Sequence, residues 1–109
     1  MAKNYEDLLA AVRRHLGYTW ADVELDEKLM DYVQEGVRFL ERIAGGNVLE
    51  FEAGSDERRL LKEYCFYANA MELDLFTPRY LHDLNSFQVS QEVKAYAAEK
   101  EADDAESTS

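Results

Sequence analysis

A mainly all-α domain, a small bundle of about four helices around a long central helix with a short extended segment between the second and third, is what this sequence predicts. Three observations carry the prediction. Apolar side chains recur at steps of three and four through most of the chain, the period that lines one face of a helix. Capping side chains and helix-ending glycines fall between those stretches. Only Val48-Leu49-Glu50-Phe51-Glu52 alternates with the period of two that marks an extended segment.

The first helix is predicted over Tyr5 to Leu16, with Tyr5, Leu8, Leu9, Val12 and Leu16 on one face. Glu6 and Asp7 lie in its first turn and Arg13, Arg14 and His15 in its last, matching the helix dipole, and Gly17 can take the left-handed C-terminal conformation. His15 therefore reads as dipole compensation. Gly17-Tyr18-Thr19-Trp20 is a loop in which Thr19 can cap a short turn, with Asp22 reaching back to it, and Trp20 is placed to plug one end of the core.

The second helix is predicted from about Glu27 to Ala44, with Asp26 as its N-cap and Leu25 and Met30 as a hydrophobic staple. Leu29, Val33, Val37, Leu40 and Ala44 make its buried face, flanked by Tyr32 and Ile43, and Asp31, Glu35, Arg38, Glu41 and Arg42 its wet face. Gly36 interrupts it at a cost of about 1 kcal/mol relative to alanine, which points to a backbone or bulky ring passing close by. Gly45-Gly46-Asn47 ends it; without the lysine and following helix start of a phosphate loop, this glycine pair reads as a cap and turn.

The central helix is predicted over Ser55 to Phe76, SDERRLLKEYCFYANAMELDLF, N-capped by Ser55. Leu61, Tyr64, Cys65, Ala68, Met71 and Leu75 form the core stripe. A second stripe, Phe66, Ala70 and Leu73, points roughly opposite at about 100° per residue, so a cover on that side, from another subunit or from the chain's own last helix, is expected. Thr77 is then expected to cap a new helix beginning at Pro78, with Tyr80, Leu81, Leu84 and Phe87 on its apolar side. From Val89 the apolar positions thin out to Val93, Tyr96 and Ala97, and the chain ends EADDAESTS. The expected organisation is a helical domain over 1–88, a C-terminal arm, helical, over 89–100 and an acidic tail without fixed structure over 101–109.

The 109 residues fit one domain, and 47% hydrophobic residues suffice for a small core. The single cysteine, Cys65, lies among apolar neighbours, which suits a packing role and a reducing, cytoplasmic setting. Met1-Ala2-Lys3-Asn4 runs straight into an amphipathic pattern, so no signal peptide is expected, nor any membrane span. The net charge of −11, of which the stretch from Glu99 to Ser109 holds −4, argues against gripping phosphates. It suits a surface past which DNA slides, or a solubilising one. Chemistry is hard to assemble from two histidines: His82 beside Asp83 stands 17 positions from Cys65 with no paired ligand spacing. No enzyme activity, metal or cofactor is expected.

Thr19-Trp20, Asp22, Leu25-Asp26, Lys28-Leu29, Tyr32, Gly36, Ile43-Ala44-Gly45, Leu60-Leu61, Tyr64-Cys65 and Tyr67-Ala68 together follow a pattern that resembles the head-tail connector (adaptor, head-completion) proteins of tailed bacteriophages and prophages. The resemblance covers about Tyr5 to Phe87. Trp20, Asp26, Leu29, Gly36, Gly45, Tyr64, Cys65 and Tyr67 are the signature positions. The resemblance implies a structural subunit that forms a ring, commonly of twelve, under the portal protein in the virion. Such a ring is made in the host cytoplasm, extends the channel through which DNA passes without specific binding, and offers a platform to a stopper or tail-completion protein. It also implies a C-terminal segment that holds the portal, here Val89, Val93 and Tyr96, while Phe66, Ala70 and Leu73 become the candidate seam between subunits. The alternative reading of the residues is a free-standing acidic helical module that mimics DNA charge or binds a basic partner.

Overall fold

The computed structural model describes residues 4–20 and 22–107, with side chains as far as residue 100. The chain is mainly helical, a small all-α bundle: α1 Tyr5–Leu16, α2 Val23–Ile43, α3 Asp56–Asn69, a 3₁₀ turn Leu73–Leu75 and α4 Phe76–Ser107.

α1 has the predicted bounds. Its N-cap is Asn4, whose side chain accepts from the Asp7 backbone N–H at 3.1 Å, and Gly17 closes it at φ 82° with the Tyr18 N–H reaching the Arg13 carbonyl. α2 begins four residues earlier than predicted. Its N-cap is Asp22, accepting from the Leu25 N–H at 3.1 Å, and not Asp26, which lies inside the first turn and meets Arg13 at 3.2 Å, close enough for an ion pair but not aligned as a hydrogen bond. Two aspartates four apart compete for the cap, and the pull of Arg13 keeps Asp26 off that duty. The predicted inward face of α2 is buried throughout.

Residues 48–52 are extended, with Leu49 and Phe51 buried and Val48, Glu50 and Glu52 exposed, but among the described residues no strand partners them. The Leu49 N–H is satisfied by the Glu41 carboxylate at 2.9 Å, and Phe51 sits at φ 55° with its ring 1% exposed. Burying the ring, roughly 1.5–3 kcal/mol, outweighs about 1–2 kcal/mol of left-handed strain.

α3, capped by Ser55 as predicted, is shorter than the predicted Ser55–Phe76 helix. It stops at Asn69 because Met71 adopts φ 59° while the Glu72 N–H turns back to the Tyr67 carbonyl. Met71 is consequently 88% exposed instead of lining the core. α4 then starts at Phe76, so Thr77 and Pro78 occupy its first turn, where proline's missing N–H does no harm. Tyr80 is its one kinked residue, at φ −107°, ψ 15°.

α1 and α3 run parallel, as Asp7–Arg58 near their starts (2.9 Å) and Tyr18–Asn69 at their ends (3.0 Å) require; α2 runs against both. α4 returns along α3 through Tyr80–Glu63 and Asp83–Arg59 and buries Leu84 and Phe87. Phe76 anchors this return, stacked on Tyr80 at 5.1 Å and edge-on to Tyr64, Phe39 and Tyr67. Beyond Gln91 every described side chain of α4 is exposed. The projecting helix gives the molecule a 57 Å long axis and a radius of gyration of 16.3 Å, against about 13 Å for a compact domain of this length. The backbone stays helical to Ser107 through most of the stretch expected as an acidic tail. The tail's side chains, and Thr108 and Ser109, lie outside the described residues, as does the expected N-terminal start Met1–Lys3.

Candidate interaction surfaces

The signature positions divide by environment. Leu29, Tyr64, Cys65 and Tyr67 are core. Gly36 lets α2 and α3 approach so closely that a Cβ there would lie 2.6 Å from Leu61 Cδ1 and 2.9 Å from Tyr64 Cδ1, the bulky ring that its mid-helix position implied. Burial pushes the Cys65 thiol up to about 12 and, with Glu35 and Cys65 nearby, raises Tyr64 as well. Among the described residues no group of three or more His, Cys, Asp or Glu is arranged to hold a metal, and no helix is long and apolar enough to cross a membrane. His82, on α4, is exposed, whereas Cys65 is sealed in the core.

Trp20 does not plug the core; it is 54% exposed, and the core closes without it. It is nonetheless held. Arg13 Nη2 donates to its carbonyl, its ring packs edge-on against Tyr18 at 5.3 Å, and Tyr18 Oη accepts from Asn69 Nδ2 at 3.0 Å.

Of the predicted second stripe, Phe66 (45% exposed) and Ala70 face outward, whereas Leu73 packs half-buried against the chain's own core. The end of α4 covers neither. Phe66 instead touches the ring of His15, whose Nε2 lies 2.8 Å from Glu63 Oε1, while Tyr80 Oη donates to Glu63 Oε2 at 2.9 Å. His15 thus serves a tie between α1, α3 and the kink of α4 as well as the end of its own helix. Burial first and the Glu63 bond second push the Tyr80 phenol up to about 12.

Val89, Val93 and Tyr96 are 56%, 61% and 66% exposed. At about 100° per residue they lie nearly opposite Leu84, Phe87 and Gln91, the side by which α4 packs on the body. The stripe therefore turns away from the body of its own chain. Between the C-terminal turn of α2 and this stretch of α4 lies a cleft of about 330 Å³, lined by Ile43, Ala44, Asn47, Gln88, Gln91 and Ala95 among others. Sequence reasoning passed over it, although a glutamine continuing the spacing of Leu84 and Phe87 was a signal. A second cleft of about 280 Å³ is bounded by Glu35, Arg38, Phe39 and Arg42 of α2 and Tyr64 of α3. Comparison of the chain with known protein families, with curated proteins and with solved structures finds no match for it.

Proposed function

We propose that this chain is a structural head-tail connector subunit of a tailed phage or prophage, assembling head-to-tail into a ring beneath the portal. The resemblance of the Thr19-to-Ala68 pattern suggests it, and one observation carries it: α4 packs on the body as far as Gln91 and then projects with Val89, Val93 and Tyr96 turned outward. An apolar stripe that its own subunit cannot cover suits an arm that grips a second protein, here the portal. Phe66 and Ala70 offer a separate outward patch, and two different patches on one subunit are what a heterologous, ring-forming contact needs. The net charge of −11 gives passing DNA few cations to hold.

The test separates the two surfaces. Phe66→Asp is expected to keep the helical circular dichroism signal and to block assembly as read by sedimentation; loss of helix would make Phe66 a core residue instead. Val93→Asp combined with Tyr96→Asp, both exposed and neither lining the cleft, is expected to keep the fold and weaken portal attachment. Unchanged attachment would remove the arm's role. A strictly monomeric protein that ignores portal rings and inhibits a DNA-binding enzyme would favour the acidic module instead.

A further inference from the structure

We propose that Trp20 is the anchor of the subunit–subunit contact and that it inserts into the cleft between α2 and α4 of a second copy of this chain. The inference deepens the head-to-tail assembly proposed above and rests on it. The indole is exposed yet packed edge-on against Tyr18, which Asn69 holds, while Arg13 holds the Trp20 backbone carbonyl, so less freedom is lost when the ring is buried. A tryptophan in that state matches the residue type and rigidity of binding hot spots.

The cleft fits it in size and chemistry. At about 330 Å³ it stands at the lower end of the roughly 300–1,000 Å³ range that encloses small ligands. Ile43, Ala44 and Ala95 give it apolar walls, and Arg42, Asn47, Gln88 and Glu92 complete it with polar ones. Gln91 lines it while only 9% exposed, and its side-chain amide has no hydrogen-bond partner among the described residues. A buried indole needs an acceptor for its N–H, and the Gln91 amide, which still meets solvent in the cleft, can offer its carbonyl oxygen.

The positions also forbid self-insertion. Trp20 precedes the start of α2 and the cleft lies at its end, about 31 Å away for 21 residues at 1.5 Å each. Tryptophan and cleft can meet only between copies, and the contact is heterologous, as a ring requires.

Trp20 is the only tryptophan in the chain, so its fluorescence reports the contact directly. In a concentration series of the full chain, followed together by mass and emission, the expected result is a blue shift of Trp20 and loss of quenching by acrylamide as the mass rises. Trp20→Ala is expected to weaken association on the order of 30-fold or more. Ala95→Arg, at an exposed position in the cleft, is expected to abolish both the shift and the mass increase. Mixing the two variants should restore a dimer, and only a dimer, because one copy brings the indole and the other the cleft. Assembly with Trp20 still exposed and quenchable, or a blue shift that survives Ala95→Arg, overturns this contact and leaves the ring reading standing. A chain that stays monomeric at the highest attainable concentration also overturns it, and its mixture with portal then decides the ring separately.

Discussion

At the scale of single residues, the close approach at Gly36 is the sharpest constraint in the fold. An alanine there would gain about 1 kcal/mol of helix propensity but press its Cβ against the buried Leu61 and Tyr64 side chains at 2.6 and 2.9 Å, closer than van der Waals contact allows. Gly36→Ala is expected to lose stability on the order of 1 kcal/mol net in chemical denaturation; a stabilised variant would contradict the packing described. This constraint was legible in the sequence because a glycine in the middle of an amphipathic helix has few other uses. Trp20 was not legible. A large aromatic side chain reads as core by default, and only the hold of Arg13 and Tyr18 explains why this one faces outward. The same limit applies to Gln91 and Ala95, which come together with Ile43 and Asn47 only through the way α4 passes the end of α2.

At the scale of elements, periodicity located all four helices and misjudged where α2 starts, where α3 ends and how far α4 reaches at either end. Asp22 and Asp26 are equally good caps on paper, and the choice between them depends on Arg13 from another helix. The end of α3 is subtler. Met71 and Leu75 continue the helical spacing, and no glycine or proline announces the stop at Asn69. The turn forms because burying Phe76, 1% exposed, gains more than the left-handed backbone at Met71 costs. Met71→Gly is therefore expected to raise stability by about 0.5–1 kcal/mol, since the lost side chain is almost wholly exposed and the strain at φ 59° is relieved. A loss of stability in thermal or denaturant unfolding would mean that the turn is not strained.

At the scale of the whole molecule, the fold has a defined alkaline limit. The Cys65 thiol and the Tyr80 phenol are both held neutral, raised from 9.0 and 10.0 to about 12. The unfolded chain ionises them first, so their contribution is complete below about pH 9 and is lost as the pH climbs toward 12. Denaturant midpoints are expected to fall across that window, and in Cys65→Ala the part of the fall that begins near pH 9 should vanish. Flat midpoints would mean that neither group is held neutral by the fold.

The molecule as a whole is a small helical body with the Trp20 loop at one end of α2, a cleft at the other, and a helix that leaves the body with its apolar stripe facing outward. The sequence carried the apolar stripes of that description, but not how far α4 projects or which patches stay uncovered, because both depend on how the helices pack. The ring reading makes one demand that no isolated subunit can meet. Electron microscopy of the protein mixed with portal rings of a tailed phage should show a second ring stacked coaxially on each portal, absent when Val93 and Tyr96 are both replaced by Asp. Bare portals beside monomeric protein would contradict it.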